Sequence, residues 1–93
     1  MLLAQIVRIP VEGVATFQEY ESLVLPLLRQ YEATLDRRLR DDGGTIEIHV
    51  MTFPSAEALA AYRADPVRVK HLHLLEDSGA VSELFEATEV GRE

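Results

Sequence analysis

Residues 45–68 constrain the fold more than any other stretch, because they combine an alternating strand with a proline stop and two helix starts. One face of the strand predicted over residues 45–53 reads Ile46, Ile48, Val50 and Thr52. This period of two is typical of a strand with one buried face. The other face reads Thr45, Glu47, His49, Met51 and Phe53. Such a half-polar face favours partial cover by a second layer or a pocket.

Two helices are predicted after this strand. A proline ends the strand, since it cannot donate to the ladder, and Ser55 is a favoured N-cap for a helix over residues 56–64. Asp65 and Pro66 then predict a new helix start, because Asp caps well and proline is tolerated at the first helical position. The Asp-Ser-Gly run at residues 77–79 should end that helix.

The first third of the chain predicts a strand and a helix. Residues 2–9 are apolar on both faces, as in a central strand covered on both sides. Thr16 and Glu19 match a capping box, so a helix is predicted to start there. Its apolar face continues to Tyr31 across Pro26, which should kink the helix.

A hairpin and a last strand complete the pattern. The strand predicted over residues 34–40 should point Leu35, Arg37 and Leu39 inward, with Asp36, Arg38 and Arg40 on the other side. The Asp-Asp-Gly-Gly run at residues 41–44 predicts a tight turn, so this strand should pair antiparallel with residues 45–53. Residues 81–90 are predicted to form the last strand.

The predicted order β-α-β-β-α-β is the ferredoxin-like arrangement, an α+β fold with a four-stranded antiparallel sheet and helices on one face. Residues 1–93 would make one such domain. We expect the open face of the sheet to carry Leu3, Val7, Ile9, Met51 and Phe53. An apolar patch of that extent is typical of an interface, which predicts a homodimer joined through the open sheet faces.

The composition excludes several classes of function. With 9 basic and 16 acidic residues the net charge is −7, which disfavours nucleic acid and anionic membrane surfaces as partners. The chain has no cysteine, so thiolate catalysis, disulfides and cysteine-bound metals are excluded. The apolar start is interrupted by Gln5 and Arg8 and reads as neither a signal peptide nor a membrane span. We therefore expect a cytoplasmic protein.

Two runs, residues 20–40 and 48–69, resemble the dimeric α/β-barrel superfamily. Within it the chain is most similar to a small uncharacterised bacterial family, in which a strand ends in Phe-Pro-Ser and a helix with a tyrosine and an Asp-Pro-type break follow. More distant relatives are the cofactor-free antibiotic-biosynthesis monooxygenases and the stress-responsive barrel proteins. The resemblance implies the dimeric fold and no cofactor. Many relatives carry a glycine pair where this chain has Glu32 and Ala33.

His49 is the leading catalytic candidate. On the open face of a central strand, its imidazole could act as a general base near neutral pH, and Glu47 on the same face could orient it. The alternative is that both residues are satisfied across a dimer interface. His71 and His73 do not predict a metal site, because residues two apart on a helix point away from each other.

A pocket is expected beside these residues. Tyr62, Met51 and Phe53 are the predicted apolar ligand contacts, and Arg38 could hold a ligand carboxylate. The alternatives are a core tyrosine and a solvated edge strand whose arginines discourage aggregation. The ligand would be a small apolar or aromatic molecule.

Two functions remain open at this point. The first is a small-molecule enzyme, a cofactor-free monooxygenase or isomerase that uses His49. The second is a non-catalytic module that binds a metabolite or only oligomerises. Fold does not decide between them.

Overall fold

The computed structural model describes residues 1–91 and has the ferredoxin-like fold that the sequence predicts. Its strands are β1 (Leu2–Arg8), β2 (Thr34–Arg40), β3 (Ile46–Thr52) and β4 (Val81–Glu86). Its α-helices are α1 (Val14–Val24), α2 (Ala56–Arg63), α3 (Pro66–Lys70) and α4 (Leu72–Ser78). The sheet order is β2-β3-β1-β4, and every neighbouring pair is antiparallel. The helices cover one face of this open sheet.

The helix starts after β3 follow the predicted capping. The Ser55 side chain accepts a hydrogen bond from the amide of Ala58 at the start of α2. Asp65 accepts from the amides of Val67 and Arg68 at the start of α3. These contacts satisfy amides that have no partner inside a helix.

The first helix differs from its prediction at both ends. It begins at Val14, not at Thr16, and no side chain caps it. A short 3₁₀ turn, Val11–Gly13, leads into it instead. A 3₁₀ segment, Leu25–Tyr31, continues from Val24 with Pro26 in its first turn. The proline therefore begins a new segment, where its missing amide costs nothing, and does not kink the middle of a helix.

Gly13 brings α1 and α4 together. A Cβ atom at this position would overlap the carbonyl oxygen of Ser78 and lie 2.8 Å from its carbonyl carbon. Only glycine lets these two backbones approach so closely.

The prediction for the open face of the sheet is wrong, because the two faces are exchanged. Leu3, Val7, Ile9, Met51 and Phe53 lie beneath the helices and form the core. The face away from the helices carries the alternate residues of β1 and β3. Ala4 is paired with Val50 on this face, and Ile6 is paired with Ile48. Both faces are apolar, so alternation alone does not tell which one the helices cover.

A bulge in β2 reverses half of the predicted side-chain directions. Leu35 is opposite Met51, but Arg37 is opposite Val50, so Asp36 is an extra residue on this strand. From there Arg38 and Arg40 share the helix-facing side with His49 and Glu47, and Arg37 and Leu39 lie on the open side. The Asp36 carboxylate accepts hydrogen bonds from Thr34 and Thr52 at 2.8 and 2.6 Å, which hold the bulge.

Glu32 ends the 3₁₀ segment that follows α1. It adopts the left-handed conformation with φ 56°, and it is the only non-glycine residue with positive φ in residues 1–91. β4 ends at Glu86, four residues earlier than predicted. No helix in residues 1–91 is long and apolar enough to cross a membrane.

Candidate functional site

A cavity of about 360 Å³ lies between the sheet and the helices. The sheet contributes Gln5, His49, Met51 and Phe53 to its wall, and the helical segments contribute Tyr20, Glu21, Tyr62 and Arg68. Most of the remaining lining is aliphatic. An apolar cavity with a few convergent polar groups is the usual form of a small-molecule site.

A buried cluster of His49, Glu21 and Glu47 forms the polar part of this region. The Nε2 atom of His49 lies 2.7 Å from Oε1 of Glu47 and 3.0 Å from Oε1 of Glu21. Its Nδ1 atom lies 3.3 Å from the Oε1 atom of Gln5. The side chains of His49, Glu21 and Glu47 are at most 5% exposed, so water does not screen their charges.

Two arginines of β2 bind the carboxylate of Glu47. Arg38 Nε donates to Oε1 of Glu47 at 2.8 Å, and Arg40 Nε donates to Oε2 at 3.0 Å. Both carboxylate oxygens of Glu47 are therefore engaged by cations. Arg38 also lies 3.8 Å from Oε1 of Glu21 through its Nη2 atom. The bulge at Asp36 is what turns both arginines toward this cluster.

The surroundings move the pKa values of the cluster apart. Burial alone would raise the pKa of Glu47, but hydrogen bonds from Arg38 and His49 prevail and lower it to about 2. Burial raises the pKa of Glu21 above its usual value, and attraction to His49 offsets part of that rise. Burial would lower the pKa of His49, but the carboxylates of Glu21 and Glu47 outweigh it and raise that pKa.

The cluster therefore favours a protonated imidazole that is flanked by one firmly ionised carboxylate and one that is easily protonated. Glu21 Oε1 has no hydrogen-bond partner despite its burial. A buried carboxylate oxygen without a hydrogen-bond partner is an unusual and costly feature in a folded protein. Groups with pKa values separated in this way are typical of acid–base sites.

The donor atoms of Glu21, Glu47 and His49 lie within 4.8 Å of one another, and these residue types can bind a metal ion. Both oxygens of Glu47 already accept charge-assisted hydrogen bonds from Arg38 and Arg40. A cation there would have to displace two guanidinium groups or lie beside them. The donor set thus fits a network of ion pairs better than a metal site.

The predicted site residues separate into two groups. His49, Met51, Phe53 and Tyr62 all line the cavity. His49 reaches it from the covered face of β3, and its predicted position on the open face is wrong. Glu47 lies behind His49 and is fully buried. Arg38 is not among the residues that line the cavity in the described part of the chain, and its ligand-binding role stays a prediction.

Sequence reasoning missed Glu21 and Arg68. Glu21 lies on the apolar face of α1 that also carries Phe17, Tyr20 and Val24, and all four are buried. A charged residue within an apolar helical stripe is the signal that could have identified it. His71 and His73 lie outside the cavity, with ring centroids 6.4 Å apart.

No known protein family matches the sequence, and no curated protein matches it. Solved structures do match. A protein from Nitrosomonas europaea, named as a candidate antibiotic biosynthesis monooxygenase, has a TM-score of 0.73 at 9% identity, over 96% of this chain and 100% of its own. A protein of the same candidate name from Caulobacter crescentus has a TM-score of 0.69 at 11% identity, over 95% of this chain and 91% of its own.

An uncharacterised NIPSNAP domain protein from Burkholderia xenovorans has a TM-score of 0.64 at 19% identity, and the match spans 100% of both chains. At these identities the likeness establishes the fold alone. The structural neighbours of this chain thus include candidate antibiotic biosynthesis monooxygenases and a NIPSNAP domain protein, and what they share with it is the ferredoxin-like fold.

Proposed function

We propose that this protein binds a small, largely apolar molecule in the cavity and catalyses a proton transfer on it. Glu21 would act as the general base, and the protonated His49 would stabilise the anion that forms. The observation that carries this proposal is the Oε1 atom of Glu21, which has no hydrogen-bond partner and is buried beside a histidine that two carboxylates keep charged.

Glu21 has the properties of a general base. Glu21 belongs to the cavity wall, close to where a molecule would bind. Burial raises its pKa, which makes its carboxylate a stronger base than an exposed glutamate. Transfer of a proton from the substrate would convert a penalised buried carboxylate into a neutral acid, and this relieves the cost of its burial.

His49 would stabilise the resulting negative charge. It is also in the cavity wall, and its ring is fixed by Glu47 on one side and by Gln5 on the other. Fixed charges in a site that excludes water stabilise a developing anion strongly. In this role Glu47 is a positioning residue, because it acts through the imidazole and lies behind it.

Two reactions begin with such a step. Returning the proton to a different carbon gives an isomerase. Reaction of the anion with dioxygen gives a cofactor-free monooxygenase, and this is supported by the names of the structural neighbours. The same cavity without turnover would give a metabolite-binding module. Its ligand would raise the unfolding temperature of the protein but would not be chemically converted.

We also propose that the protein is a homodimer joined through the open sheet face. That face carries Ala4, Ile6, Ile48 and Val50, and Phe85 beside them on β4 is 50% exposed. Burial of this apolar surface against a second copy would stabilise both chains, at about 25 cal/mol per Å². The two cavities lie on the opposite side of each sheet.

The proposed activity can be tested by incubating the protein in D₂O with ketones, phenols and quinols, while NMR follows deuterium exchange and an electrode follows oxygen uptake. Glu21→Gln should reduce the exchange or uptake by at least about 100-fold. The matched control is Glu19→Gln, which removes an exposed carboxylate from the same helix and should leave the rate unchanged. Equal rates in both variants would contradict a catalytic role for Glu21.

A further inference from the structure

Within residues 1–91, the buried side-chain nitrogen and oxygen atoms that lack a hydrogen-bond partner are Glu21 Oε1 and Arg68 Nε. Both residues line the same cavity. One atom is an acceptor and the other is a donor. A buried donor or acceptor that stays unsatisfied destabilises the fold, and a charged group does so most. Two such residues in the wall of one largely apolar cavity suit a ligand that brings a donor to one and an acceptor to the other.

We infer that the cavity takes a small aromatic acid, whose carboxylate binds the guanidinium of Arg68 and whose hydroxyl, at the other end of the molecule, donates to Glu21. This rests on the proposed function, because it names the substrate class for the same cavity. It adds Arg68 as the residue that determines specificity.

Arg68 is held in place for this task. Its Nη1 atom donates to the backbone oxygen of Arg63 at 3.1 Å, and its guanidinium carbon lies 5.4 Å from the centre of the Tyr62 ring. No carboxylate of residues 1–91 lies within ion-pair distance of it. A fixed guanidinium whose Nε atom has no hydrogen-bond partner suits a carboxylate, because the planar fork of arginine matches carboxylate geometry.

The charges of the cavity wall also favour an anion, although the whole chain is acidic. Arg63, Arg68 and the protonated His49 face a single lining carboxylate, Glu21. The second carboxylate of the cluster, Glu47, is already neutralised by Arg38 and Arg40. The local balance is therefore positive, whereas the chain as a whole carries −7. This difference would draw an acidic ligand into the cavity.

The rest of the wall fits an aromatic body. Tyr62 and Phe53 pack with ring centroids 5.8 Å apart, and Tyr20 and Met51 complete this part of the lining. Aromatic and thioether side chains pack well against a flat ring. A cavity of about 360 Å³ accommodates a molecule of one or two rings.

The test measures binding of para-hydroxybenzoate and of hydroxynaphthoate by calorimetry, and compares each with its methyl ester and with the acid that lacks the hydroxyl. The wild-type protein should bind at least one hydroxy acid about 10-fold or more tightly than its ester, since a charge-assisted hydrogen bond is lost with the charge. Arg68→Gln should remove this preference, so that the acid and its ester bind with similar affinity.

Two variants serve as controls. Arg29→Gln removes an exposed arginine away from the cavity and should keep the preference for the acid. Arg68→Lys keeps the charge but loses the planar fork, so it should retain only part of the preference. Equal affinity for acid and ester, unchanged affinity in Arg68→Gln, or no binding of either hydroxy acid would each overturn the inference.

These outcomes are distinct from a failure of the proposed function. A preference for acids that depends on Arg68, without any deuterium exchange or oxygen uptake, would support the binding inference and refute catalysis. Turnover that depends on Glu21 but occurs equally with esters would support catalysis and refute the binding inference.

Discussion

Glu21 and His49 approach each other across the boundary between helix and sheet, with Oε1 of Glu21 3.0 Å from Nε2 of His49 and no hydrogen bond between them. The hydrogen bond of that nitrogen is made with Glu47, which is 2.7 Å away. Glu21 is therefore near the positive charge but remains available to another donor. This arrangement suits a base that must exchange its proton with a ligand in the cavity.

Such a base should limit the stability of the fold. Burial penalises the Glu21 carboxylate, and the uncharged amide of Glu21→Gln avoids this penalty. Above neutral pH, we expect the unfolding temperature of the variant to exceed that of the wild type by about 4–8 °C. This shift corresponds to about 1 kcal/mol in the free energy of unfolding. Thermal unfolding followed by circular dichroism measures this, with Glu19→Gln as the control. A marked loss of stability would show that the Glu21–His49 pair mainly stabilises the fold.

Removal of Glu47 should have the opposite effect. Glu47→Gln leaves Arg38 and His49 beside a neutral group in a buried site, and we expect a loss of about 3 kcal/mol in the free energy of unfolding. Urea denaturation measures it. Glu83→Gln removes the surface pair with Arg8, whose side chains are 62% and 68% exposed, and should cost less than about 1 kcal/mol. Similar losses in both variants would contradict the buried network.

The stability should depend on pH in a defined direction. The folded pKa of His49 is raised, so its contribution is fully present below its ordinary value of 6.5 and is lost as the pH rises through the folded value. Glu21, whose folded pKa is also raised, acts with the same sign. Stability should therefore fall as the pH rises above 6.5. His49→Gln should flatten this dependence, and the exposed-site variant His73→Gln should not.

At acid pH the sign reverses because of Glu47. Its folded pKa lies well below the ordinary value of 4.5, so its contribution is present above 4.5 and is lost as the pH falls toward about 2. Glu47→Gln should lose part of the acid sensitivity of the wild type. Urea denaturation at a series of pH values tests both the acid and the alkaline prediction. If neither His49→Gln nor Glu47→Gln changed the dependence of stability on pH, these assignments would be contradicted.

A charge on the open sheet face should dissociate the proposed dimer. Ile48→Glu places a carboxylate at the centre of this face, and native mass spectrometry should detect a monomer. Val11→Glu places the same charge on an exposed site outside the sheet and should leave the dimer intact. A monomeric wild type, or a dimer that persists in Ile48→Glu, would contradict the interface.

The close approach at Gly13 gives a test of the fold itself. Gly13→Ala would force the backbones of α1 and α4 apart, and we expect a loss of about 1–3 kcal/mol. At Gly43 an added Cβ would meet its nearest atom, in the Thr45 side chain, only at 4.0 Å. Gly43→Ala should therefore stay within about 0.5 kcal/mol of the wild type. Equal stability of both variants would refute the tight helix contact.

Local signals in the sequence were sufficient for the order of the elements and for several of their ends. Ser55 and Asp65 marked helix starts because their capping contacts depend only on neighbouring residues. The covered side of the sheet was not predictable in this way, because Leu3 and Ile6 on opposite faces of β1 are equally apolar. Only the packing of the helices decides which of them is buried.

The candidate site was predictable in part for the same reason. His49 and its neighbour Glu47 share a strand face, so their proximity followed from the sequence. Glu21 comes from a helix 28 positions earlier, and Arg68 from a helix that follows, and only the tertiary fold brings them to one cavity. The arginines of β2 reach Glu47 because of a bulge that no residue type in the sequence predicts.

That bulge has a consequence for comparing this chain with others. Because Asp36 is an extra residue on β2, its deletion would leave Arg38 opposite His49 and Arg40 opposite Glu47. Inserting one residue after the bulge would instead turn both guanidinium groups outward. When related sequences are aligned, a gap of one residue should therefore be tolerated at Asp36, and the spacing between Arg38 and Glu47 should not vary.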